Sequence, residues 1–378
     1  MRSHVSSLLL LLIVAVWIPS CTKEAGRLNG NGPDDKSQSD QNNYYALVHQ
    51  ANDSREIDDL DKFFSIEQTT SFDGANIKDI GRLKSGTQGG FYLADPESKF
   101  VMNFDKTGKL ISRIGSEGDG PGQFQFPSGI AERDDAEIAV SDFKSHRVNV
   151  FSDKGDFLSS FIYSPQNFSA QNLIFNTENK SYYLFGNRWA ENEKGEITGA
   201  KLVHKYSDRG EFVGSFLDFP DNFKDLNLYN YSLPSVDSVS GTVYIAMPFE
   251  YAVYQLGSDD KLDEIIKAGN GSFRSPSTKL DLSKTRPDAA RTFVQGWLTT
   301  WTPIVGLAVV GNRLFLQYQT FNPQRYTVDV WSLSSRHVES TFKTNCRILD
   351  RSGNSVYFLR NVESAGERTY EVVRAEPK

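Results

Sequence analysis

Asp95-Pro96-Glu97-Ser98-Lys99-Phe100-Val101-Met102-Asn103-Phe104 aligns without a gap over Asp142-Phe143-Lys144-Ser145-His146-Arg147-Val148-Asn149-Val150-Phe151, with Asp, Ser, Val and Phe at matching places. Each copy passes through a turn ending at Gly108 or Gly155 into a second short run, Lys109-Leu110-Ile111 or Asp156-Phe157-Leu158. A polar turn with glycine between alternating apolar runs is what a β-hairpin requires. The unit recurs from Leu202 to Val213 with Gly210 in its turn, and in more degenerate form from Val253 to Ile265 and from Val328 to Val338.

The apolar residue before each turn is Phe104, Phe151, Tyr206, Leu256 and Trp331, with Val373 read as the counterpart near the end; the steps are 47, 55, 50, 75 and 42 residues. A four-stranded propeller blade takes about 40 to 50 residues. The spacing therefore predicts an all-β fold, a six-bladed β-propeller with one long insertion between the fourth and fifth blades. Each copy follows an apolar run: Phe91-Tyr92-Leu93, Ile138-Ala139-Val140, Tyr182-Tyr183-Leu184-Phe185, Val243-Tyr244-Ile245, Leu314-Phe315-Leu316 and Val356-Tyr357-Phe358-Leu359. Apolar on both faces, these read as second strands buried between neighbouring sheets. The last copy runs out at Lys378 with no residues for a fourth strand. An open edge is a pairing hazard, so the strand around Phe63-Phe64-Ser65-Ile66-Glu67 is expected to supply it and close the ring.

The N-terminus has a short basic start, Met1-Arg2-Ser3-His4, then an apolar run from Val5 to Trp17 that ends on Ile18-Pro19-Ser20-Cys21. A membrane span needs about 20 apolar residues, so residues 1–20 read as a cleavable secretory signal. Ile18-Pro19-Ser20-Cys21 resembles the bacterial lipobox, although Ile18 and Pro19 depart from its commonest pattern. The resemblance implies that Cys21 is diacylated and becomes the mature N-terminus, anchoring the chain to a membrane. Thr22, where an Asp would retain the protein at the inner membrane, implies the outer membrane, facing the periplasm or the cell surface. Lys23-Glu24 resembles the surface-export signal of Bacteroidetes lipoproteins. Residues 21–56 are polar and poor in large apolar side chains, so they read as a flexible tether to a propeller spanning residues 57–378. Cys346 is the only other cysteine, which leaves no disulfide framework and suggests a buried thiol. The formal charge of −7 becomes −8 once Arg2 is removed. Phosphate binding needs a basic footprint, so nucleic acid is excluded as a partner.

In the second unit the resemblance becomes specific. Gly118-Asp119-Gly120-Pro121-Gly122-Gln123-Phe124, then Phe126-Pro127-Ser128-Gly129-Ile130-Ala131, Ile138-Ala139-Val140-Ser141-Asp142 and His146-Arg147-Val148-Asn149-Val150-Phe151 are similar to an NHL repeat, with Ser145 in place of the family's Asn. The whole chain, lipobox included, resembles the six-bladed propeller lipoproteins of Bacteroidetes. That implies a fold and an envelope location rather than an activity.

The five histidines, His4, His49, His146, His204 and His337, form no HxH or HExxH pair, so no metal site is expected from them. NHL-type lyases use several channel histidines, and this chain has no matching set. Asp95, Asp142, His146 and Arg147 occupy repeat positions, where the expected roles are local turn satisfaction and polar contact between blades. The lactonase-like six-bladed propellers imply an alternative, carboxylates ringing the channel around calcium; no cofactor is otherwise expected. Gly118 to Gly122 has no following Lys-Ser/Thr and is not a P-loop. Two segments exceed what the fold needs. One is Asn187-Arg188-Trp189-Ala190; the other is the insertion, with Arg286, Arg291 and an expected short helix after Pro287 carrying Trp297 and Trp301. Aromatic and arginine side chains on long loops are where recognition tends to reside. Arg188, Trp189, Arg286, Arg291, Trp297 and Trp301 are therefore the candidate ligand contacts, the alternative being that the helix packs its tryptophans onto the propeller. The expected function is a non-enzymatic, monomeric binding or scaffold module of the cell envelope for a peptide, glycan or partner protein. The rivals are a metal-dependent lactonase or lyase in the channel and an accessory lipoprotein of an outer-membrane nutrient importer.

Overall fold

In a computed structural model of the chain the described residues are 58–72, 76–78, 80–86, 88–133, 137–163, 168, 170–191, 197–218, 234–267, 271, 273–276, 301–319, 325–364 and 367–378. They belong to one compact unit, 57–279 with 300–378. Residues 1–20, Cys21, the tether to residue 56, and the insertion residues Arg286, Arg291 and Trp297 with their expected helix lie outside them.

A single helical turn, α1 (Leu60–Phe63), leads into β1 (Phe64–Ser71). The first sheet is β2 (Arg82–Ser85), β3 (Phe91–Asp95), β4 (Phe100–Phe104) and β5 (Leu110–Ile114). A short parallel pair, β6 (Ser116–Glu117) and β7 (Gln123–Phe124), precedes the second sheet of β8 (Pro127–Glu132), β9 (Ile138–Asp142), β10 (Arg147–Phe151) and β11 (Phe157–Ile162). The third comprises β12 (Asn172–Asn176), β13 (Ser181–Glu191), β14 (Ile197–Ser207) and β15 (Phe212–Asp218); the fourth, β16 (Ser235–Val239), β17 (Thr242–Ala246), β18 (Val253–Leu256) and β19 (Leu262–Ile266). The fifth holds β20 (Ile304–Val310), β21 (Arg313–Gln319), β22 (Tyr326–Ser332) and β23 (His337–Thr344). In the sixth, β24 (Arg347–Ser352), β25 (Ser355–Ser364) and β26 (Glu367–Pro377) take β1 as their outer strand, antiparallel to β26 with Phe64 opposite Pro377. The inner strands β2, β8, β12, β16, β20 and β24 follow one another, and β24 returns to β2. The fold is thus an all-β, six-bladed propeller.

Period-two alternation explains the doubly apolar second strands. Phe91 and Leu93 pack with Tyr357 of the sixth sheet, whereas Tyr92 and Ala94 pack with Ile130, Ile138 and Val140 of the second. The hairpin turns repeat as well. Gly108, Gly155 and Gly210 have φ of 86°, 91° and 83°, the left-handed region that favours glycine, and Asp260 takes the same place at 62° in the degenerate fourth copy. One register differs from the sequence expectation. Phe91, Ile138, Tyr182, Val243 and Leu314 face Phe104, Phe151, Tyr206, Leu256 and Trp331, and their counterpart Val356 faces Ala375, not Val373. The offset is two residues, so both side chains lie on one face and the apolar pattern alone could not separate them.

Candidate functional site: the channel and the face bearing the long excursions

All inner strands begin at the same face. On the opposite face the connections are short: 86–90, 133–137, 177–180, 240–241, 311–312 and 353–354 after the inner strands, and 105–109, 152–156, 208–211, 257–261 and 333–336 before the outer ones. At the face where inner strands begin, the chain leaves β15 at Asp218 and re-enters at Ser235, and leaves β19 at Ile266 and re-enters at Ile304. The inner strand β12 ends its pairing at Asn172 with Phe185, but β13 and β14 continue past it, with Arg188 opposite Lys201 and Trp189 opposite Ala200. Strands β25 and β26 likewise run on to Ser364 opposite Glu367, beyond Leu359 where β24 starts. The backbone therefore places Arg188 and Trp189 on a hairpin rising from this face.

The insertion is stapled at its base. Arg274 N donates to Thr302 Oγ1 (2.7 Å) and Thr302 N donates to Arg274 O (2.9 Å). Trp301, expected from sequence as a ligand contact, is 1 % exposed. Its indole sits inside where the chain returns into β20, because hiding so large an apolar surface outweighs presenting it to solvent.

The repeat residues are turn clamps. Asp142 Oδ2 accepts from the backbone N–H groups of Gln125 and Phe126 (both 2.8 Å), and Oδ1 from Lys144 (2.9 Å) and Ser145 (2.7 Å). Asp95 similarly accepts from Lys78 (2.9 Å) and Ser98 (3.0 Å). Each ties its own turn to the incoming inter-blade segment. His146 closes the turn at φ 52° and lies edge-on to Tyr163 at 5.9 Å. Arg147 Nη1 donates to Ser160 Oγ on β11 (3.0 Å), so its polar contact is within its own sheet rather than between blades. Asp142→Asn would turn an amide nitrogen towards two N–H donors. It is expected to cost about 1–3 kcal/mol in chemical denaturation; unchanged stability would refute the clamp.

Between the inner strands is a channel cavity of about 290 Å³. Sequence reading missed its charged lining, although ionisable residues within four- to six-residue first strands are a signal. The groups lie in layers. At the excursion end, Arg82, the first residue of β2, lines the cavity, and Arg347, the first residue of β24 on the neighbouring sheet, lies just outside that lining. In the middle, Lys84 Nζ is 2.9 Å from Asp350 Oδ1, and Asp350 Oδ2 accepts from Ser85 N (2.8 Å) and Ser85 Oγ (2.6 Å). Beside it Arg351 Nε donates to Asp237 Oδ2 (2.8 Å) and Oδ1 (3.1 Å), while Val309 N donates to Oδ2 (2.7 Å). This pair joins the sixth sheet to the fourth across the inner strand of the fifth. At the far end, Glu132 closes β8 and Glu178 lies in the turn after β12.

Burial lifts the Asp237 carboxyl above its usual range despite Arg351. Burial opposes the Lys84 charge, yet Asp350 outweighs it and its pKa is raised. Arg82 falls to about 10, first through burial, then through the like charge of Arg347, with Asp350 opposing. Among the described residues no group of three or more His, Cys, Asp or Glu could hold a metal ion.

No curated protein matches this sequence. Among solved structures the chain is similar to a protein of Bacteroides fragilis described as exported, at 12 % identity with a TM-score of 0.60, covering 85 % of this chain and 98 % of that one. A DUF4221 family member from Bacteroides vulgatus matches at 10 % identity and a TM-score of 0.61, over 83 % of this chain and 98 % of that one. At such identities the likeness is one of fold, and it meets the blade-by-blade count of the sheets. The family described as 6-bladed β-propeller, DUF5128, matches residues 34–328, and the chain belongs to that family.

Proposed function

We propose that this propeller is a binding module of the cell envelope, held to a membrane through Cys21, that recognises a peptide, glycan or partner protein with the face bearing the long excursions. The asymmetry of the two faces carries this reading: short turns on one, and on the other the extended β13–β14 hairpin and both ends of the insertion. A rigid scaffold with long excursions gathered on one face is the usual arrangement of a recognition surface. The fold shared with a protein described as exported supports the location.

Two experiments test it. Cys21→Ser should move the protein from the membrane to the soluble fraction and abolish palmitate labelling; retention of label would sink the anchor. A glycan and peptide array probed with the purified chain should return a ligand whose affinity falls about tenfold or more in Trp189→Ala. The melting temperature should hold, because Trp189 lies beyond the last paired residue of the inner strand. Binding unaffected by Trp189→Ala and Arg188→Ala would move recognition off this hairpin.

A further inference from the structure

The channel is not uniformly charged. Its central groups neutralise one another in two pairs, Lys84 with Asp350 and Arg351 with Asp237. Its carboxylates Glu132 and Glu178 stand at the short-turn end. At the excursion end Arg82 lines the cavity, and the guanidinium of Arg347, outside the lining, repels it. The Arg82 Nε is shielded from solvent with no hydrogen-bond acceptor. Arg347 Nε reaches only the neutral Val305 O, at 3.4 Å. Among the described residues neither arginine pairs with a carboxylate. Asp350 attracts Arg82 through space, but its hydrogen bonds run to Lys84 and Ser85.

Two half-buried like charges without a hydrogen-bonded counter-charge repel each other at a cost. This chain carries 48 Asp and Glu against 41 Lys and Arg, so the missing carboxylate is not for want of acids. Guanidinium forks match the geometry of carboxylate, sulfate and phosphate oxygens. We propose that the excursion end of the channel is a binding site for an oxyanion group, held between Arg82 and Arg347. It rests on the reading of that face as the recognition face and adds the chemistry of the ligand: a carboxylate, or a sulfate or phosphate ester, directed into the channel mouth.

The test uses the purified full chain at constant ionic strength, with melting followed as sodium sulfate or sodium acetate replaces sodium chloride. The parent should show a saturable rise in Tm of a few degrees. Arg82→Gln should weaken the apparent affinity about tenfold or more, and Glu132→Gln should leave it unchanged. In chloride alone Arg82→Gln should melt no lower than the parent, because burial and the repulsion from Arg347 are relieved. Sulfate outperforming acetate would assign an ester, the reverse a carboxylate. Equal responses of parent and Arg82→Gln, or a lower Tm of Arg82→Gln in chloride, would overturn the site. If the anion effect needs Arg82 but no ligand depends on Trp189, the anion site stands and the recognition-face reading falls. If a ligand depends on Trp189 but sulfate and acetate act equally on both proteins, the reverse holds.

Discussion

Phe64→Ala is expected to lower the unfolding free energy by about 3–5 kcal/mol. Phe64 opens β1, is 1 % exposed, and meets the rings of Phe315 at 5.1 Å, Phe358 at 5.1 Å and Phe342 at 6.1 Å. Those partners belong to the fifth and sixth sheets, so one side chain from the N-terminal strand fills the space between two C-terminal blades. Alanine would leave a cavity lined by aromatic rings and backbone-paired strands, which cannot collapse around it. Ile66, two residues on and 45 % exposed, is the control; Ile66→Ala should stay within about 0.5 kcal/mol. Chemical denaturation of both variants is the measurement. A Phe64 loss as small as the Ile66 loss would mean that β1 is dispensable to the blade.

Arg351→Met is expected to cost about 3–5 kcal/mol at pH 8, because it leaves Asp237 enclosed without its counter-charge. The two side chains are 13 % and 9 % exposed, so solvent screening offers little compensation. The pH dependence has a definite sign. The folded pKa of Asp237 is raised by burial, so its contribution favours folding below the unfolded carboxylate range and is lost as pH rises towards the raised value. Loss of Arg351 raises that pKa further. The penalty should therefore shrink as pH falls towards the carboxylate range, where protonation of Asp237 removes the uncompensated charge, and grow as pH rises. Asp237→Asn in the Arg351→Met background should recover most of the loss at pH 8, since the amide oxygen can still accept from Val309 N. A pH-independent penalty would show that Arg351 acts through its bonds to the Gly353 and Ser238 carbonyls instead of through Asp237.

The blade count, the second strands and the hairpin turns were legible in the chain because they depend on local chemistry repeated at blade length. Gly108, Gly155 and Gly210 mark one backbone conformation, and the runs at Phe91 and Ile138 mark strands covered on both sides. The Asp142 turn was legible for the same reason, its donors at Lys144 and Ser145 lying two and three residues away. For Trp301 the sequence left ligand contact and packing onto the propeller both open, because composition cannot tell an aromatic anchor from an aromatic contact. Burial depends on which surface the returning chain meets.

The channel was illegible for a deeper reason. Lys84 and Asp350 are 266 residues apart, and Arg351 and Asp237 are 114 apart. Within its own segment each reads as an ordinary polar residue in a short strand. By itself the sequence determined the repeat, its period and the turn geometry, since hydrogen bonding and side-chain alternation act over a few residues. Only the tertiary structure decided which charges face one another, which are neutralised, and that Arg82 and Arg347 are left together at one end. Electrostatic pairing acts through space, and here the closing of six sheets around one axis sets the distances.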